Sequence, residues 1–186
     1  EIDIVVNCAA YTAVDLAEEQ EDTADKINHK AAALLAEVCA QHNATLIHIS
    51  TDYIFSGDSQ RAYTEDDTPA PLNAYGRTKL SGERAITKSG CKSIILRTSW
   101  LYSEFGKNFV KTMRNLTATH KEIKVVADQF GTPTYAGDLA EAIVQIIENK
   151  KYDKCGVYNY SNLGECSWYD FAMEIARESG NDNCKI

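Results

Sequence analysis

The sequence predicts an α/β fold built on a doubly wound parallel sheet. Short apolar runs of strand length alternate along the chain with amphipathic segments whose apolar residues recur at helical spacing. Short strands that are apolar on both sides and are joined through helices are typical of a parallel sheet covered on both faces. With 186 residues, the chain is long enough for one domain or slightly more.

The first half of the chain alternates strands and helices. Its predicted elements are, in order, strand 2–6, helix 27–39, strand 46–49, helix 73–89 and strand 93–96. Gly90 follows the second helix, where a glycine commonly ends a helix. This alternation is the pattern from which the parallel sheet is predicted.

The second half is less regular. Its predicted elements are helix 108–116, strand 123–126, helix 139–147, strand 157–160 and a last helix that ends at Gly180. The segment from Ser167 to Asp170 has the form of a capping box for that helix. We predict a partial dinucleotide-binding, Rossmann-like domain over residues 1–130. Residues 131–186 form a mixed segment of a smaller substrate-binding region that interleaves with it.

The usual phosphate-binding glycine loop of such a domain is not found. None of the ten glycines forms a G-x-G-x-x-G or G-x-x-G-x-x-G pattern, although a doubly wound nucleotide-binding domain normally opens with one. The chain starts directly before a buried strand and stops where another strand is expected. We therefore expect a fragment of a longer protein that lacks the first strand and glycine loop of the domain.

Composition excludes several functional classes. Lys and Arg number 19 against 27 for Asp and Glu, a net charge of −8 with no basic cluster, so nucleic acid is not an expected partner. No apolar run approaches the roughly 18 residues that cross a bilayer, and we expect a soluble, cytoplasmic protein without a membrane partner. The six cysteines form no C-x-x-C pair and are predicted to be free. The four histidines show no ligand spacing, so no metal ligand is assigned.

Tyr75 and Lys79 are the first candidates for catalysis. They are four residues apart in a predicted helix, so both side chains project from one face. A free tyrosine has a pKa of about 10, and a lysine ammonium within about 4–6 Å lowers that pKa by favouring the phenolate. Tyr75 is thus a plausible general acid beside a carbonyl that is being reduced. Alone the pattern is weak, since many surface helices contain it.

Two strand ends strengthen the hypothesis. Thr51 and Asp52 directly follow a buried strand, at the carboxyl end where open α/β sheets bind ligands. Thr51 is suited to hydrogen-bonding a substrate carbonyl or hydroxyl, although a polar turn explains both residues as well. Ala9 and Ala10 follow the first strand, where small side chains let a flat ligand approach the backbone. Good packing explains these alanines equally well.

Together these segments resemble the extended short-chain dehydrogenase/reductase superfamily, in which a Ser or Thr precedes a Tyr-x-x-x-Lys pair. Within it the sequence is most similar to the dTDP-4-dehydrorhamnose reductases, over essentially the whole chain. The matching segments are residues 7–15 (NCAAYTAVD), 50–57 (STDYIFSG), 71–79 (PLNAYGRTK), 97–102 (RTSWLY), 108–110 (NFV) and 128–134 (DQFGTPT). The resemblance implies reduction of the 4-keto group of a dTDP-sugar, in dTDP-L-rhamnose synthesis, with NADPH or NADH as cofactor.

The resemblance also implies a role for each matching residue. Tyr75 would protonate the alkoxide, Lys79 would lower the pKa of Tyr75 and bind the nicotinamide ribose, and Thr51 would tune the proton transfer. The remaining residues are expected to bind ligands: Ala9, Ala10 and Tyr11 the cofactor, Thr51, Asp52 and Trp100 the sugar, and Asn108 the nucleotide diphosphate. An aromatic core residue is the alternative for Trp100. Some relatives form a homodimer, in some cases through a divalent cation.

Single residues distinguish this sequence from proteins of the same fold that have other functions. Sugar-nucleotide 4,6-dehydratases carry a Glu after the Thr-Asp pair, where this chain has Tyr53. Epimerases more often carry Ser-Ser where this chain has Ser50 and Thr51. A non-catalytic regulator, similar to the beta subunit of methionine adenosyltransferase, would not require Thr51, Tyr75 and Lys79 together. Reduction is therefore favoured, with a reductase or epimerase for another nucleotide sugar and a regulatory module as alternatives.

Overall fold

A computed structural model describes residues 2–186. In chain order the regular elements are β1 (Ile4–Asn7), α1 (Val14–Glu19), α2 (Glu21–Asp25), α3 (Ala31–Gln41), β2 (Thr45–Thr51), α4 (Ala74–Lys88), β3 (Ser93–Thr98), β4 (Leu101–Tyr102), α5 (Phe109–Thr119), β5 (Phe130–Gly131), β6 (Thr134–Tyr135), α6 (Ala136–Glu148), β7 (Gly156–Asn159), β8 (Cys166–Ser167) and α7 (Trp168–Glu178). A π-helical turn, Lys26–Lys30, joins α2 to α3, and short 3₁₀ turns span Asp52–Ile54 and Lys151–Asp153.

The chain divides into two compact units, each made of two segments. The first contains residues 2–98 and 145–160, and the second contains residues 99–144 and 161–186. The division at residue 130 into a dinucleotide-binding and a substrate-binding region stays a prediction, because compactness does not tell which ligand a unit binds. None of the helices described over residues 2–186 is long and apolar enough to span a membrane.

A four-stranded parallel sheet forms the centre of the first unit. Its strand order is β1-β2-β3-β7, and every neighbouring pair is parallel. Flanking helices cover the sheet, so the predicted doubly wound α/β class is confirmed. Buried residues of α3, α4, β2 and β3 pack together as one apolar cluster: Ala32, Ala36, Cys39, Ala44, Leu46, Ile86, Cys91 and Ile95.

Side chains of β2 that face α4 change from apolar to polar along the strand. Leu46 belongs to the apolar cluster, whereas His48 and Ser50, two and four residues later, contact α4 through polar atoms. Alternate residues of a strand point to the same face, so these three side chains share the α4 side of the sheet. The polar end of this face is the carboxyl end of β2, where the candidate site lies.

The second unit is held by an aromatic and aliphatic cluster between α5 and α7. Its buried centre is Met113, Ala172 and Ile175. The predicted capping box opens α7: the Ser167 hydroxyl accepts from the Asp170 amide, and the Asp170 carboxylate accepts from the Ser167 amide, both at 3.0 Å. This geometry confirms the helix start that the sequence predicts.

The predicted strand at 123–126 is wrong. No strand is assigned to these residues, and the neighbouring Glu122 makes only an isolated bridge to Lys185. Ile123 and Val125 pack instead on the α5/α7 cluster. The alternating apolar pattern correctly marks one buried face, but the segment has no ladder within the described residues. All six cysteines are free, as predicted.

Candidate active site

The candidate site forms where the end of β2 meets the first turn of α4. Thr51 is the last residue of β2, and its hydroxyl accepts a hydrogen bond from the Tyr53 amide at 3.2 Å, which opens the following 3₁₀ turn. The same hydroxyl donates to the Asp52 carboxylate at 3.1 Å. Both residues therefore hold a defined turn as well as facing the site.

Asn73 and Gly76 bring α4 against this turn. The Asn73 side chain caps the helix by accepting from the Gly76 amide at 2.7 Å. A Cβ added at Gly76 would lie 2.2 Å from the Tyr53 carbonyl oxygen, so only glycine permits the approach without a shift of the backbone. Tyr75 and Lys79 are thereby placed in the first and second turns of the helix, as the sequence predicts.

Tyr75 is buried beside Thr51. A hydrogen bond from Thr51 lowers the pKa of the phenol, but burial outweighs it, and the pKa of Tyr75 is raised to about 12. The Tyr53 ring packs edge-on against the Tyr75 ring with centroids 5.6 Å apart. The pKa shift is opposite in direction to the one expected from the Tyr-x-x-x-Lys pair, because the burial of the phenol dominates.

Lys79 is almost completely buried, with 1% of its surface exposed. Its Nζ donates to the Ile49 carbonyl oxygen at 2.6 Å and lies 3.3 Å from His48 Nε2. Burial lowers the pKa of Lys79 to about 8, although Glu83 acts in the opposite direction. The amine is thus directed at the backbone of β2 and at an imidazole.

Asp52 is the acidic group of the site. Burial raises the pKa of its carboxyl to about 6, although the hydrogen bond from Thr51 opposes this shift. A carboxyl with this pKa can exchange protons near neutral pH. Asp52 therefore adds a second titratable group next to Thr51.

The predicted cofactor segment follows β1 in the same unit. Ala9 is exposed and Ala10 is partly buried, which leaves space for a flat ring above the backbone. Asn28 holds Tyr11 by accepting from its amide at 2.8 Å and donating to its carbonyl at 3.1 Å. These contacts give a segment with small side chains and a fixed backbone, which fits a nicotinamide cofactor.

The remaining predicted site residues belong to the second unit. The Trp100 ring stacks on Trp168 with centroids 3.5 Å apart and faces Gly131, where a Cβ would lie 2.6 Å from the indole. Trp100 has a φ of 45°, a left-handed conformation that costs free energy in a bulky residue and is concentrated at functional sites. The substrate-binding role of Trp100 stays a prediction.

Asn108 has a local structural role. Its side chain caps α5 by accepting from the Lys111 amide at 3.1 Å, and its Nδ2 donates to the Ser103 carbonyl at 2.6 Å. Contact of Asn108 with a nucleotide diphosphate stays a prediction. Among residues 2–186, no group of three or more His, Cys, Asp and Glu side chains is placed to hold a metal ion.

Four buried polar residues next to the site were not identified as functional from the sequence. They are Asn28, His48, Glu83 and Arg97, each at most 7% exposed. The available signal was a polar residue in an otherwise apolar strand for His48 and Arg97, and the Lys79–Glu83 spacing of four on α4. His48 contacts Lys79, Glu83 pairs with Arg97 of β3, and Asn28 bonds Tyr11 and Thr78.

Comparison with known proteins identifies the family. All of residues 1–186 match the family profile described as the RmlD substrate binding domain. The chain is 44% identical over 179 residues to dTDP-4-dehydrorhamnose reductase of Aggregatibacter actinomycetemcomitans, covering 95% of this chain and 61% of that protein. It is 43% identical to dTDP-4-dehydrorhamnose reductase of Escherichia coli, covering 96% of this chain and 61% of the relative.

Solved structures agree with this assignment. A dTDP-4-dehydrorhamnose reductase of Clostridium acetobutylicum superposes with a TM-score of 0.92 at 48% identity, covering 97% of this chain and 63% of that one. The enzyme of Bacillus anthracis in complex with NADP gives a TM-score of 0.90 at 45% identity, with 95% and 63% covered. The chain spans about 61% of the length of the curated relatives. It belongs to the RmlD substrate-binding domain family, confirming the predicted resemblance to the dTDP-4-dehydrorhamnose reductases.

Proposed function

We propose that the protein reduces the 4-keto group of dTDP-4-dehydro-L-rhamnose to give dTDP-L-rhamnose, with NADPH or NADH as the reductant. The observation that carries the proposal is the buried contact of Thr51 with Tyr75 at the end of β2, with Lys79 one turn further along α4. Relatives at 43–44% identity are named for this reaction, and one similar structure contains NADP. Both facts support the proposal.

Tyr75 is the proton donor in the proposed reaction. Bound reduced nicotinamide supplies a hydride, which forms the new C–H bond at the carbonyl carbon. As the C=O π bond breaks, the carbonyl oxygen takes the phenolic proton of Tyr75, so the product is an alcohol and Tyr75 is left as a phenolate. Thr51 favours this phenolate when its one hydroxyl proton turns from the Asp52 carboxylate to the Tyr75 oxygen, and solvent later returns the proton to Tyr75.

Lys79, Ala9, Ala10 and Tyr11 are the proposed cofactor contacts. In its charged form Lys79 would stabilise the Tyr75 phenolate and hydrogen-bond the nicotinamide ribose. Ala9 and Ala10 leave room for the ring, and Asn28 fixes the backbone of Tyr11. Thr51, Asp52 and Trp100 are the proposed sugar contacts, and Asn108 is the proposed diphosphate contact.

Relatives named for other reactions define the alternative substrates. A Streptomyces antibioticus protein named as a probable dTDP-4,6-dihydroxy-2-methyloxan-3-one 4-ketoreductase is 46% identical. A Streptomyces niveus protein named dTDP-4-keto-6-deoxy-D-glucose reductase is 41% identical. Both names describe reduction of a keto-sugar carried by dTDP, so the substrate panel includes more than one such sugar.

The test is cofactor oxidation by the full natural chain. NADPH or NADH absorbance is followed with dTDP-4-dehydro-L-rhamnose, with dTDP-4-keto-6-deoxy-D-glucose, and with the UDP form of the latter sugar. The proposal predicts the fastest oxidation with dTDP-4-dehydro-L-rhamnose. Faster turnover of another sugar would replace the proposed substrate, and a folded protein that oxidises neither cofactor with any of them would favour the regulatory module.

Three further features of the protein stay predictions from the sequence. They are a homodimer, a divalent cation at its interface, and a cytoplasmic location. Sedimentation of the full natural chain with and without EDTA tests the first two together. A dimer that becomes monomeric in EDTA is the expected result, and a monomer in both conditions would contradict it.

A further inference from the structure

The two tryptophans of the sequence form a stacked pair within the second unit. The ring centroids of Trp100 and Trp168 are 3.5 Å apart, and the ring planes differ by 9°. This separation is close to the contact distance of two carbon atoms, so the Trp168 ring lies almost directly over Trp100 and covers one of its faces. Aromatic pairs prefer offset or edge-on arrangements with centroids about 4.5–7 Å apart. The surrounding packing therefore imposes the direct stack.

Gly131 covers the opposite face of the Trp100 ring. A Cβ added at Gly131 would have Trp100 Cε2, Cζ2 and Nε1 as its three nearest atoms, at 2.6, 2.7 and 2.9 Å. A point that is closer to Cε2 than to the two atoms bonded to it lies above the ring and not beside its edge. On the face that Trp168 covers, such a point would meet Trp168 atoms first. The Trp100 indole is therefore held between the Trp168 ring and the Gly131 backbone.

One short ribbon carries both neighbours of Trp100. β5 pairs with β8 in antiparallel orientation, with Gly131 opposite Cys166, and Trp168 begins α7 two residues after Cys166. The Trp168 ring also packs on Phe109 of α5 with centroids 4.5 Å apart, and Phe109 contacts the buried α5/α7 cluster. The ring that covers Trp100 is thus anchored in the core of the second unit.

The backbone around Trp100 is fixed as well. Its carbonyl accepts from the Thr134 amide at 3.3 Å, and the hydroxyl of the preceding Ser99 donates to the Thr132 carbonyl at 2.7 Å. The φ of 45° at Trp100 costs free energy. A strained backbone and a disfavoured stack thus occur at the same residue, which indicates that its ring orientation serves a function.

The indole N–H of Trp100 has no acceptor in the described part of the chain. The residue is partly exposed, and its Nε1 makes no hydrogen bond to any of residues 2–186. An indole nitrogen can only donate, and its N–H lies in the plane of the ring. Because both faces are covered, a ligand can reach this ring only at its edge.

We propose that Trp168 and Gly131 are positioning residues that present the edge of Trp100, with its Nε1–H donor, to an oxygen of the sugar. Trp100 then recognises the sugar by a hydrogen bond and not by stacking against a C–H face. The inference rests on the proposed function, since it uses Trp100 as a sugar contact. It also joins the two readings of Trp100, because the faces of its ring pack as in a core while its edge is free to bind.

NMR of the full natural chain, labelled with ¹⁵N-tryptophan, tests the stack without ligand. Trp100→Phe identifies the Nε1–H signal of Trp100. The ring current of a stacked neighbour shifts such a signal upfield, so Trp168→Leu should move it downfield. Trp168→Phe is the matched control, because it keeps a flat ring and should move the signal less. An unchanged Trp100 signal in Trp168→Leu would overturn the stack.

Titration of the same sample with dTDP-L-rhamnose tests the edge contact without turnover. The Trp100 Nε1–H signal should move downfield as the N–H gains an oxygen acceptor. A sugar stacked on the indole would instead show C–H protons that move upfield in wild type and return in Trp100→Leu. That result, or bound product that leaves the Nε1–H signal unmoved, would overturn the proposal. A folded protein that does not bind dTDP-L-rhamnose would count against both the proposed function and this contact.

Steady-state kinetics test whether Trp168 acts through Trp100. Trp100→Phe keeps a ring but removes the donor, so KM for the keto-sugar should rise about 3–10-fold with kcat nearly unchanged, as expected for the loss of one hydrogen bond. Trp168→Ala should raise KM to a similar extent, and Trp168→Phe should stay near wild type. The double variant Trp100→Phe/Trp168→Ala should be no worse than Trp100→Phe. Multiplying effects would show that Trp168 acts independently of Trp100.

Gly131→Ala tests the other face, because its Cβ would lie 2.6 Å from the indole and displace it. KM should rise with little change in kcat, and an unchanged KM would show that this face is open. The spectroscopic and kinetic results separate the two proposals. A protein that binds dTDP-L-rhamnose with the downfield Nε1–H shift but oxidises neither cofactor would count against the reductase alone. An active enzyme whose bound sugar stacks on Trp100 would count against the edge contact alone.

Discussion

Two buried polar clusters lie one helical turn apart between α4 and the sheet, and they differ in how their charge is balanced. In the first, Glu83 accepts from Arg97 at 2.7–3.2 Å and from Ser50 at 2.5 Å. In the second, the polar partners of Lys79 within residues 2–186 are the Ile49 carbonyl and the His48 ring. We call them the paired cluster (Ser50, Glu83, Arg97) and the lysine cluster (Asn7, His48, Lys79).

The two clusters therefore differ in whether a buried group can change its charge near neutral pH. In the paired cluster both charges are compensated, so removal of one partner leaves a buried, unpaired charge. In the lysine cluster no anion bonds the lysine among residues 2–186, and the charge of Glu83 only partly offsets the burial that lowers the Lys79 pKa to about 8. A base with a shifted pKa can change its charge near neutral pH, which an ion-paired arginine does not do. We conclude that the paired cluster stabilises the fold and the lysine cluster is available for reaction.

Arg97→Met should have the largest effect on stability. It leaves the Glu83 carboxylate buried without its partner, so the free energy of unfolding should fall by about 3–5 kcal/mol, measured by urea denaturation. The matched control is Arg97→Met combined with Glu83→Gln, which removes both charges and should recover most of the loss. If the double variant were less stable than Arg97→Met, the two charges would not form a balanced pair.

Lys79→Met should change the pH dependence of stability. Lys79 has a pKa of about 8 in the folded chain and about 10.4 when unfolded, so the unfolded state binds the extra proton between these values. The free energy of unfolding should therefore rise between about pH 8 and 10.4 by about 3 kcal/mol through Lys79, and fall again as pH decreases. The difference between wild type and Lys79→Met isolates this contribution. Equal pH profiles would contradict the uncompensated lysine.

Gly76→Ala should have a smaller effect on the free energy of unfolding. The effect should be confined to the start of α4, where Tyr75 and Lys79 lie. Alanine normally stabilises a helix by about 1 kcal/mol relative to glycine, but here its Cβ would lie 2.2 Å from the Tyr53 carbonyl oxygen. We expect a net loss of about 1–3 kcal/mol and slower turnover, because the turn that carries Tyr75 must shift. Arg84→Ala, at an exposed position of the same helix, is the control. A stabilised Gly76→Ala would show that the close approach is unimportant.

The regular elements of the fold could be predicted because their signals are local. The apolar runs predict β2 and β3, and the capping box that begins at Ser167 predicts the start of α7. The segment 123–126 shows the limit: its alternating apolar residues correctly indicate a buried face, yet a strand also needs a partner. That partner depends on the tertiary fold, which a local pattern does not contain.

The candidate site was predicted less completely than the fold. The spacing of Tyr75 and Lys79 is a local property, so their common helix face could be predicted. The contacts of Lys79 with His48, and of Glu83 with Arg97, join residues 31 and 14 positions apart, and they depend on the register of β2, β3 and α4. The sequence therefore predicted an ammonium that lowers the Tyr75 pKa, whereas burial in the folded chain raises it.

Tyr75→Phe in the full natural chain tests the central claim, that Tyr75 is the proton donor next to an adjustable lysine. Tyr63→Phe is the matched control, since it removes a hydroxyl that bonds Ser56 and Ser59 elsewhere in the same unit. The measurement is kcat for keto-sugar reduction together with the Kd of the cofactor. We predict that kcat falls by about 10²–10⁴-fold in Tyr75→Phe with nearly unchanged cofactor affinity, while Tyr63→Phe stays near wild type. A Tyr75→Phe variant with the kcat of wild type would contradict the account.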